Sequence, residues 1–507
     1  MEMNSAPFFT RKFASIHACL DFHADKKPDR PALTVDGQTV SYRQLLEAVN
    51  VIGAALQRDS VAIGGRIATI GGTSVEHIVA LLGSITVGAA CAPLPVTATT
   101  AQLQRMVDDV RPSHLFLDPT RAPAVLTSID CQRIALTPAD LAVWSGLPAA
   151  PQPIALTADL PFNIIYSSGT TGTPKGIVQP HELRWAQIVR GSNSDFGPES
   201  VTLLATPLCS NTTLTGLITT LGRGGHAVFL SRFEAGEYLC TAARFQATHT
   251  MLVPIQFQRI LAHPDFSSTD LSSFRVKITT GAPMDIGLKR EILRRWPGNF
   301  HEYYGLSEGG VFCLLDATAH PDKLHTVGKP PAGYELRVID EAGNFLPPGH
   351  IGEIVGTSPT MMKEYFGQPD KTAEIEWWGP DGRRYLRSGD LGRIDADGFL
   401  ELMGRRKEVI ISGGFNIYPK DIEDILLAQS GVAEAAVLGI ASQRWGETPV
   451  ACVVFDEGKS VDADALLASV NGQLGAVQRL SALKCVDSLP RNAMGKILKN
   501  ELRHYFP

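Results

Sequence analysis

The chain has 507 residues, of which 44% are hydrophobic and 19% are charged, and its formal net charge is −6. This length exceeds one usual domain and predicts about two to four core-forming units. The negative charge argues against a general nucleic-acid binder, and no apolar run is long enough to span a bilayer.

The cysteines and the first residues indicate the compartment. Eight cysteines lie far apart and form no Cys-x-x-Cys pair, so neither a zinc site nor a disulfide framework is indicated. Near the start, Arg11, Lys12 and His17 are scattered without a long apolar core, which matches a signal peptide poorly. We therefore expect a cytoplasmic protein.

Strands and helices alternate in the first part of the chain. The predicted order is a strand at 32–35, a helix at 42–56, a strand at 66–70, a helix at 74–87 and a strand at 114–117. Ser41 is the expected N-cap of the first helix, and Gly88 ends the second. The alternation predicts a doubly wound, mostly parallel sheet. Residues 119–160, rich in Ala, Pro and Thr, are expected to form surface connections.

The middle of the chain continues this pattern, and its last third changes. Further buried strands are predicted at 203–207, 227–230, 251–254 and 276–279. Shorter, alternating strands follow at 334–339, 352–356, 391–394 and 399–403, with a hairpin turn at 395–398. They predict a small antiparallel or barrel unit. Beyond Gly404 we expect a compact α+β tail, whose clearest helix begins near Pro419 and stops at Gly431.

Residues 166–176, Tyr-Ser-Ser-Gly-Thr-Thr-Gly-Thr-Pro-Lys-Gly, combine glycines, hydroxyl side chains and one lysine. The apolar run at 162–166 predicts a buried strand that leads into this stretch. Hydroxyls and backbone N–H groups can donate to phosphate oxygens, and Lys175 adds a positive charge. The stretch is not a Walker loop, because Pro174 precedes the lysine and Gly176 follows it. A phosphate-binding loop is the functional interpretation, and a surface loop of turn formers is the alternative.

Five further stretches carry residues suited to a nucleotide site. Residues 303–308 supply aromatic rings, a hydroxyl and a carboxylate, which suit a stacked base and a magnesium ion. Residues 388–390 place a carboxylate beside a glycine, which suits a ribose diol. Residues 404–407 are a basic cluster, 412–419 a glycine-rich run, and 490–496 a flexible loop with a lysine. Taken alone, each of these stretches is also compatible with a structural role, such as a buried tyrosine pair, an ordinary turn or a solvated linker.

Together and in this order, the six stretches resemble the adenylate-forming family of acyl-CoA synthetases, firefly-luciferase-like enzymes and adenylation domains of peptide synthetases. The resemblance extends from residue 28 to residue 503. It implies an α/β fold, with a large N-terminal part (1–403) of two α/β sheets and a small β-barrel. A smaller, mobile α+β C-terminal domain (404–507) would follow, with its hinge at Lys407.

The resemblance also implies a two-step reaction that uses ATP, Mg²⁺ and CoA. A carboxylate attacks the α-phosphate of ATP to give acyl-AMP and pyrophosphate, and a thiol then displaces AMP. Carried over by position, the ATP-binding residues are Ser167, Ser168, Gly169, Thr170, Thr171, Gly172, Lys175, Gly281, Ala282, Pro283, Tyr304, Gly305, Ser307, Asp390 and Arg405. The implied catalytic residues are Lys496, Glu308 and Thr171, of which Thr171 and Glu308 would help to place the metal.

The glycine-rich run at 413–419 is similar to that of the CoA ligases in the family. This implies that Gly413, Gly414 and Phe415 meet CoA. The acid pocket would include Ser210, where many relatives have histidine, and Asn211, which matches a polar residue of hydroxyaryl-activating members.

We therefore expect an acid–CoA ligase of fatty or aromatic acid metabolism, whose partners are a small carboxylic acid, ATP and CoA, with no nucleic acid. The alternatives are a ligase that loads a carrier protein and a catalytically inactive protein that binds acyl-AMP or nucleotide. The assembly state stays open, with a homodimer as the candidate.

Overall fold

The computed structural model describes most of the chain, and the described residues are 6–120, 131–146, 149–167, 175–413, 415–456, 458–459, 462–491 and 495–506. Of Ala6, Pro7 and Ser167 the backbone alone is described. Among the described residues, no helix combines the length and the apolar character that crossing a bilayer requires.

Helices alternate with strands in the first two thirds of the chain, and antiparallel strands dominate beyond. The elements up to residue 167 are α1 (Ala6–Phe9), α2 (Ile16–Lys26), β1 (Pro31–Val35), β2 (Gln38–Ser41), α3 (Tyr42–Arg58), β3 (Arg66–Ile70), α4 (Val75–Thr86), β4 (Ala90–Leu94), α5 (Thr100–Val110), β5 (His114–Leu117), β6 (Gln132–Ala135), α6 (Pro138–Ser145) and β7 (Pro161–Ser167). Those from residue 175 to residue 316 are β8 (Lys175–Pro180), α7 (His181–Arg190), β9 (Val201–Leu204), α8 (Asn211–Gly222), β10 (His226–Phe229), α9 (Ala235–Phe245), β11 (His249–Leu252), α10 (Pro254–Ala262), β12 (Val276–Thr279), α11 (Ile286–Arg295), β13 (Asn299–Gly305) and β14 (Phe312–Asp316).

The remaining elements begin at residue 335. They are β15 (Glu335–Ile339), β16 (Gly352–Thr357), α12 (Pro369–Ile375), β17 (Glu376–Trp378), β18 (Arg384–Ile394), β19 (Leu400–Arg405), β20 (Ile410–Ser412), β21 (Phe415–Ile417), α13 (Pro419–Leu427), β22 (Val432–Ser442), β23 (Gly446–Phe455), α14 (Ala463–Gln473) and β24 (Ala482–Cys485). Short 3₁₀ helices span Gly191–Ser194, Pro264–Ser267, Arg406–Glu408 and Lys499–Tyr505.

The first sheet has six strands in the order β6-β5-β3-β4-β7-β8. Its neighbours pair in parallel, except for β7 and β8, which form an antiparallel hairpin at one edge. The edge strand β6 and helix α6 lie within residues 119–160, so the prediction of surface connections alone is wrong there. The sequence signal is weak because β6 is four residues long and only Ile134 is buried in it.

The second sheet has eight strands in the order β14-β13-β12-β11-β9-β10-β1-β2. Its six central strands are parallel, and an antiparallel strand closes each edge. In a parallel sheet the carboxyl ends of the strands meet at one edge, which is where α/β proteins bind ligands. The turns that follow β12 and β13 therefore reach the same edge.

A continuous core lies between these two sheets. Helices α2, α3, α4 and α8 contribute to it, together with inward-facing side chains such as Leu33 of β1 and Ile67 of β3. The opposite faces are covered by α9, α10 and α11 on the second sheet and by α5 on the first. Successive residues of a strand therefore pack in different cores: Leu204 of β9 faces the core between the sheets, and Leu203 faces the core under the outer helices. The predicted doubly wound arrangement is confirmed.

The third sheet is antiparallel and occupies the place expected for the small barrel. Its strands run in the order β15-β16-β18-β17, and β19 pairs with the second half of the long strand β18. The predicted hairpin turn joins β18 to β19, where Asp395 Oδ1 accepts hydrogen bonds from the backbone N–H groups of Asp397 and Phe399, both at 2.9 Å.

The fourth sheet belongs to the C-terminal segment and has a core on each face. Its strands run in the order β21-β20-β23-β22, with β24 parallel to β23. Successive residues of β22 alternate between the cores, as Val437 packs under α13 and α14 while Leu438 packs near the last 3₁₀ helix. The predicted α+β tail is confirmed, although α13 ends at Leu427, four residues before the predicted Gly431.

Candidate active site

The predicted phosphate loop joins two antiparallel strands at the edge of the first sheet. β7 ends at Ser167, β8 begins at Lys175, and these two residues are register partners. The Nζ atom of Lys175 lies 5.0 Å from the centroid of the Tyr365 ring. Outside the described residues lie Ser168, Gly169, Thr170, Thr171 and Gly172, together with the side chain of Ser167. The contacts of these six with phosphate stay predictions.

Asp390 lies at the centre of a polar cluster built from three strands. It faces Arg405 across the β18–β19 pair, and the Arg405 Nε atom lies 2.7 Å from Asp390 Oδ1. The Tyr304 hydroxyl on β13 donates to Asp390 Oδ2 at 2.7 Å. Burial raises the pKa of Asp390, while the Arg405 guanidinium and the Tyr304 hydroxyl oppose this rise. Each carboxylate oxygen keeps a second lone pair, so the cluster can still accept hydrogen bonds from a diol.

Lys496, from the C-terminal segment, lies beside this cluster. Gly495 has a φ of +76°, and a Cβ atom added there would lie 2.8 Å from Ile255 Cγ2, so the loop packs closely against the start of α10. Burial and the nearby Arg405 lower the pKa of Lys496, whereas Glu408 and Asp390 raise it. The structure thus brings residues that are about a hundred positions apart in sequence to one place.

Five of the predicted ATP-binding residues lie at the ends of two neighbouring parallel strands. β12 is followed by Gly281, Ala282 and Pro283, and Gly281 has a φ of +89°, a conformation that glycine adopts without strain. β13 ends at Gly305, directly after Tyr304. Gly281 and Gly305 both line the cavity described next, so the two strand ends share one wall.

A cavity of about 190 Å³ opens beside these strand ends. Its wall includes Asn211 and Ser307 from the predicted site. Ser210, the other residue predicted for the acid pocket, is not among the lining residues. Its Oγ atom accepts a hydrogen bond from the Thr213 backbone N–H at 3.1 Å, as the N-cap of α8. Ser210, which the prediction places in the acid pocket, thus caps a helix in this structure.

A buried arginine holds Asn211 in position. Arg184 Nη2 donates to Asn211 Oδ1 at 3.0 Å, to Asn163 Oδ1 at 2.9 Å and to Gln179 Oε1 at 2.5 Å. Gln179 in turn donates to the Ser307 backbone oxygen at 2.6 Å. Burial lowers the pKa of Arg184 to about 9. Because the Asn211 oxygen is engaged, its amide N–H groups are the ones available to the cavity.

Glu308 is the carboxylate predicted to help place a metal, and Tyr365 holds it. The Tyr365 hydroxyl donates to Glu308 Oε1 at 2.6 Å. Over the described ranges, no group of three or more His, Cys, Asp or Glu side chains could enclose a metal ion. One carboxylate still fits Mg²⁺, because this ion is commonly held by one or two carboxylates together with substrate phosphates and water. The donor chemistry of Glu308 therefore suits the implied metal.

The predicted hinge and CoA residues lie on the C-terminal side. Lys407 is exposed within the 3₁₀ helix Arg406–Glu408. A Cβ atom added at Gly413 would lie 2.9 Å from the Trp445 ring, and the Phe415 side chain is 60% exposed. Gly414 lies outside the described residues. In this arrangement Lys496 reaches the polar cluster, while Phe415 and Trp445 face solvent.

The sequence analysis did not identify Tyr365 or the side of α7 that faces the cavity. Leu183, Gln187 and Arg190 line the cavity. Arg184 does not line it but donates a hydrogen bond to Asn211. The spacing of the first three, at i, i+4 and i+7, is typical of one helix face and was a usable signal. No helix was predicted at residues 181–190, so the pattern went unused. Tyr365 carries no comparable signal, because its partner Glu308 lies 57 positions away.

Comparison with known proteins identifies the family. A family model described as AMP-binding enzyme matches residues 20–366, and one described as AMP-binding enzyme C-terminal domain matches residues 421–496. The chain therefore belongs to the AMP-binding enzyme family and is an adenylate-forming ligase.

Individual relatives cover nearly the whole chain. The fatty acid–[acyl-carrier-protein] ligase ScoC of Streptomyces coeruleorubidus is 32% identical over 96% of this chain and 95% of its own. A feruloyl-CoA synthase of an Amycolatopsis species is 32% identical over 95% of this chain and 97% of its own. The crystal structure of ATP-bound MatB from Rhodopseudomonas palustris superposes with a TM-score of 0.89 at 30% identity, covering 97% of this chain and 99% of that one.

Proposed function

We propose that the chain is an ATP-dependent acid–CoA ligase, which activates a carboxylic acid as acyl-AMP and transfers the acyl group to CoA. The placement of Lys496 beside Asp390, Arg405 and Tyr304 carries this proposal. A carboxylate and a triphosphate repel each other, so a cation at their meeting point lowers the barrier to their reaction. The cavity next to the cluster supplies the room for the acid.

In the first step, an oxygen of the acid attacks the α-phosphorus of ATP. A new P–O bond forms, the bond to the β-phosphate breaks, and pyrophosphate leaves. Asp390 and Arg405 would hold the ribose, Lys175 would contact the outer phosphates, and Lys496 would sit between the carboxylate and the α-phosphate. The chain contributes positioning and charge stabilisation, which are the main requirements of phosphoryl-group chemistry.

Mg²⁺ would be held by Glu308 and, as the resemblance implies, Thr171. When bound, this ion offsets the negative charge of the phosphates. Tyr365 fixes one oxygen of Glu308 and leaves the other oxygen for a ligand.

In the second step, the CoA thiol attacks the acyl carbonyl carbon, the thioester forms, and AMP leaves. Lys496 fills part of the site during adenylation, so we propose that the segment 404–507 turns about Lys407 before the thiol enters. Gly413, Gly414 and Phe415 would then face the thiol. The exposure of the Phe415 ring is consistent with this part of the proposal, because the ring is accessible to a ligand.

The relatives differ in their acid and in their acceptor. The relatives include a feruloyl-CoA synthase and a ligase that loads an acyl carrier protein, at the same identity of 32%. We favour CoA because the run at 413–419 is similar to that of CoA ligases. A cytoplasmic location and a homodimer stay predictions.

The test is an ATP–pyrophosphate exchange screen over aliphatic, aryl and dicarboxylic acids, followed by thioester formation with the acids that support exchange. CoA and a phosphopantetheinylated carrier protein are supplied in parallel. We expect exchange with at least one acid and acyl-CoA as the product. Carrier-protein acylation without CoA turnover would establish the first alternative. Nucleotide binding without any exchange would establish the inactive protein.

A further inference from the structure

We infer that Arg190 binds a second carboxylate of the acid substrate, so that the enzyme activates dicarboxylic acids in preference to monocarboxylic ones. The inference rests on the proposed acid–CoA ligase function and deepens it, because it names the substrate class of the same cavity. It concerns a group of the acid that takes no part in the chemistry.

Arg190 is the last residue of α7 and lines the cavity. Its Cζ atom lies 5.3 Å from the centroid of the Phe312 ring and 4.9 Å from that of the Tyr334 ring. Both aromatic residues line the same cavity. Cation–π attraction operates within about 6 Å of a ring centroid, so the two rings hold the guanidinium in place. The positive charge is therefore fixed at the cavity wall.

The two rings lie to one side of the guanidinium, since their own centroids are only 5.4 Å apart, and an aromatic ring face supplies no carboxylate-like acceptor for its N–H groups. An arginine has five N–H donors, all in the plane of the group. Within the described ranges, Arg190 forms no salt bridge and no side-chain hydrogen bond, whereas Arg184, six residues earlier on the same helix, donates to four amide oxygens. The planar guanidinium of Arg190 can donate two parallel hydrogen bonds to the two oxygens of one carboxylate.

The rest of the wall suits such a ligand. Among the described residues, no aspartate or glutamate lines the cavity or pairs with Arg190. Gln187 and Asn193 lie on the wall near it in sequence and can donate further hydrogen bonds. The volume of about 190 Å³ is below the 300–1,000 Å³ typical of ligand pockets, which favours a compact acid over a long acyl chain.

A purely structural arginine is the competing explanation, and the chain offers a comparison. Arg259 also stacks on a ring, at 5.0 Å from the centroid of Phe233, but its side chain is exposed and lies outside the cavity wall. Water can hydrate its N–H groups freely. Arg190 is half-buried, so water reaches its N–H groups less freely than those of Arg259. Arg259 is thus a matched control.

The experiment measures kcat/KM in the adenylation assay for dicarboxylic acids of increasing length, aliphatic and aryl. Each acid is paired with the monomethyl ester that removes its second charge. The wild type, Arg190→Met, Arg190→Lys and Arg259→Met are compared. Methionine keeps an apolar stem against the two rings and removes the charge. Melting temperatures confirm that each variant is folded.

We expect the wild type to prefer at least one diacid over its monoester by about 10- to 100-fold, as is typical of a lost hydrogen bond to a charged group. In Arg190→Met this ratio should fall to near one through a higher KM for the diacid, with kcat for the monoester retained. Arg190→Lys should keep part of the preference, and Arg259→Met all of it.

Two results would overturn the inference while the proposed ligase function stands. One is a wild type that activates monoesters or monocarboxylic acids as well as diacids. The other is an Arg190→Met variant that loses activity toward both members of each pair equally. If Arg190→Met does not fold, the wild-type ratios and Arg190→Lys still decide the question. If no acid of any class supports exchange, the proposed function fails instead.

Discussion

The hydroxyl of Tyr365 donates a hydrogen bond of 2.6 Å to Glu308 Oε1, and the same ring lies 5.0 Å from Lys175 Nζ. One side chain thus contacts two charged residues that the proposed reaction uses. Tyr365 is 4% exposed and packs with Ile177 of β8, so its position is fixed by the first sheet. We interpret it as a positioning residue for Glu308.

The substitution Tyr365→Phe should lower ATP–pyrophosphate exchange by about 10- to 100-fold, because a hydrogen bond to a charged group is lost. The concentration of Mg²⁺ needed for half-maximal activity should rise, since Glu308 is less well oriented. Glu308→Gln should lose more activity, because the negative charge itself disappears. Melting curves serve as the folding check for both.

Tyr385→Phe is the matched control, because it removes a tyrosine hydroxyl that donates to Asp381 in the third sheet. It should retain full exchange activity. A Tyr365→Phe enzyme with the wild-type rate and the wild-type Mg²⁺ dependence would contradict the positioning role.

The pH dependence of adenylation should report Lys496. Its pKa lies below the ordinary value of 10.5, chiefly because of burial, so its ammonium loses the proton at a lower pH than an exposed lysine does. Since the protonated form is the one that neutralises the reacting anions, kcat/KM for ATP should fall on the alkaline side before pH 10.5. Lys496→Arg keeps its charge at such pH values, so its remaining activity should persist further into the alkaline range.

The measurement is pyrophosphate exchange at limiting ATP across the alkaline range, with Lys459→Arg as an exposed-lysine control. Identical alkaline limbs in the wild type and in Lys496→Arg would show that another group controls the profile.

Arg184 should affect stability and substrate choice together. Arg184→Met removes a buried cation that donates to the amide oxygens of Asn163, Gln179 and Asn211, and the free energy of unfolding should fall by about 3 kcal/mol. Asn211 also loses its fixed orientation, so the ranking of acids should change, as it should in Asn211→Ala. Arg393→Met, which breaks a surface pair with Glu401, should cost less than about 1 kcal/mol. Denaturant unfolding and the acid screen provide the two readouts, and an unchanged ranking in both variants would remove Asn211 from the acid pocket.

Much of the fold could be predicted from sequence because its strands carry strong local signals. The strands at 66–70 and 114–117 were predicted with their observed bounds, and Ser41 forms the expected cap, completed by Gln44. Element ends were less accurate where a proline changes the geometry. The predicted strand at 251–254 ends at Leu252, because Pro254 lacks an N–H group for the ladder and instead begins α10.

The site was predictable only where its residues lie in short contiguous stretches. Asp390, Arg405 and Tyr304 could be named from such stretches, and the structure places them within hydrogen-bonding distance. Arg190 could not be found in that way, because its partners Phe312 and Tyr334 lie more than a hundred positions away and single residues carry no motif. The Ser210 assignment followed from position alone, and a helix cap leaves the same sequence signal as a ligand hydroxyl.

The proposed rotation of the C-terminal segment can be tested by separating the two half-reactions. Lys496→Ala removes the cation that we propose sits between the carboxylate and the α-phosphate, so acyl-AMP formation should fall by about 100-fold or more. Thioester formation from supplied acyl-AMP and CoA should persist, because that step does not use the lysine. Acyl-AMP formation is measured as the release of pyrophosphate. The second step is measured as the yield of thioester.

Lys407→Pro should have the opposite effect. Lys407 lies in a 3₁₀ helix, whose φ of about −50 to −70° suits proline, so the present arrangement should survive the substitution. A rotation that needs another φ at this residue would be blocked, and thioester formation should lag while acyl-AMP still accumulates. Lys407→Ala removes the same exposed charge without fixing φ, and it should behave as the wild type. If Lys407→Pro and Lys496→Ala lose both half-reactions in equal proportion, the segment does not alternate between two positions about this residue.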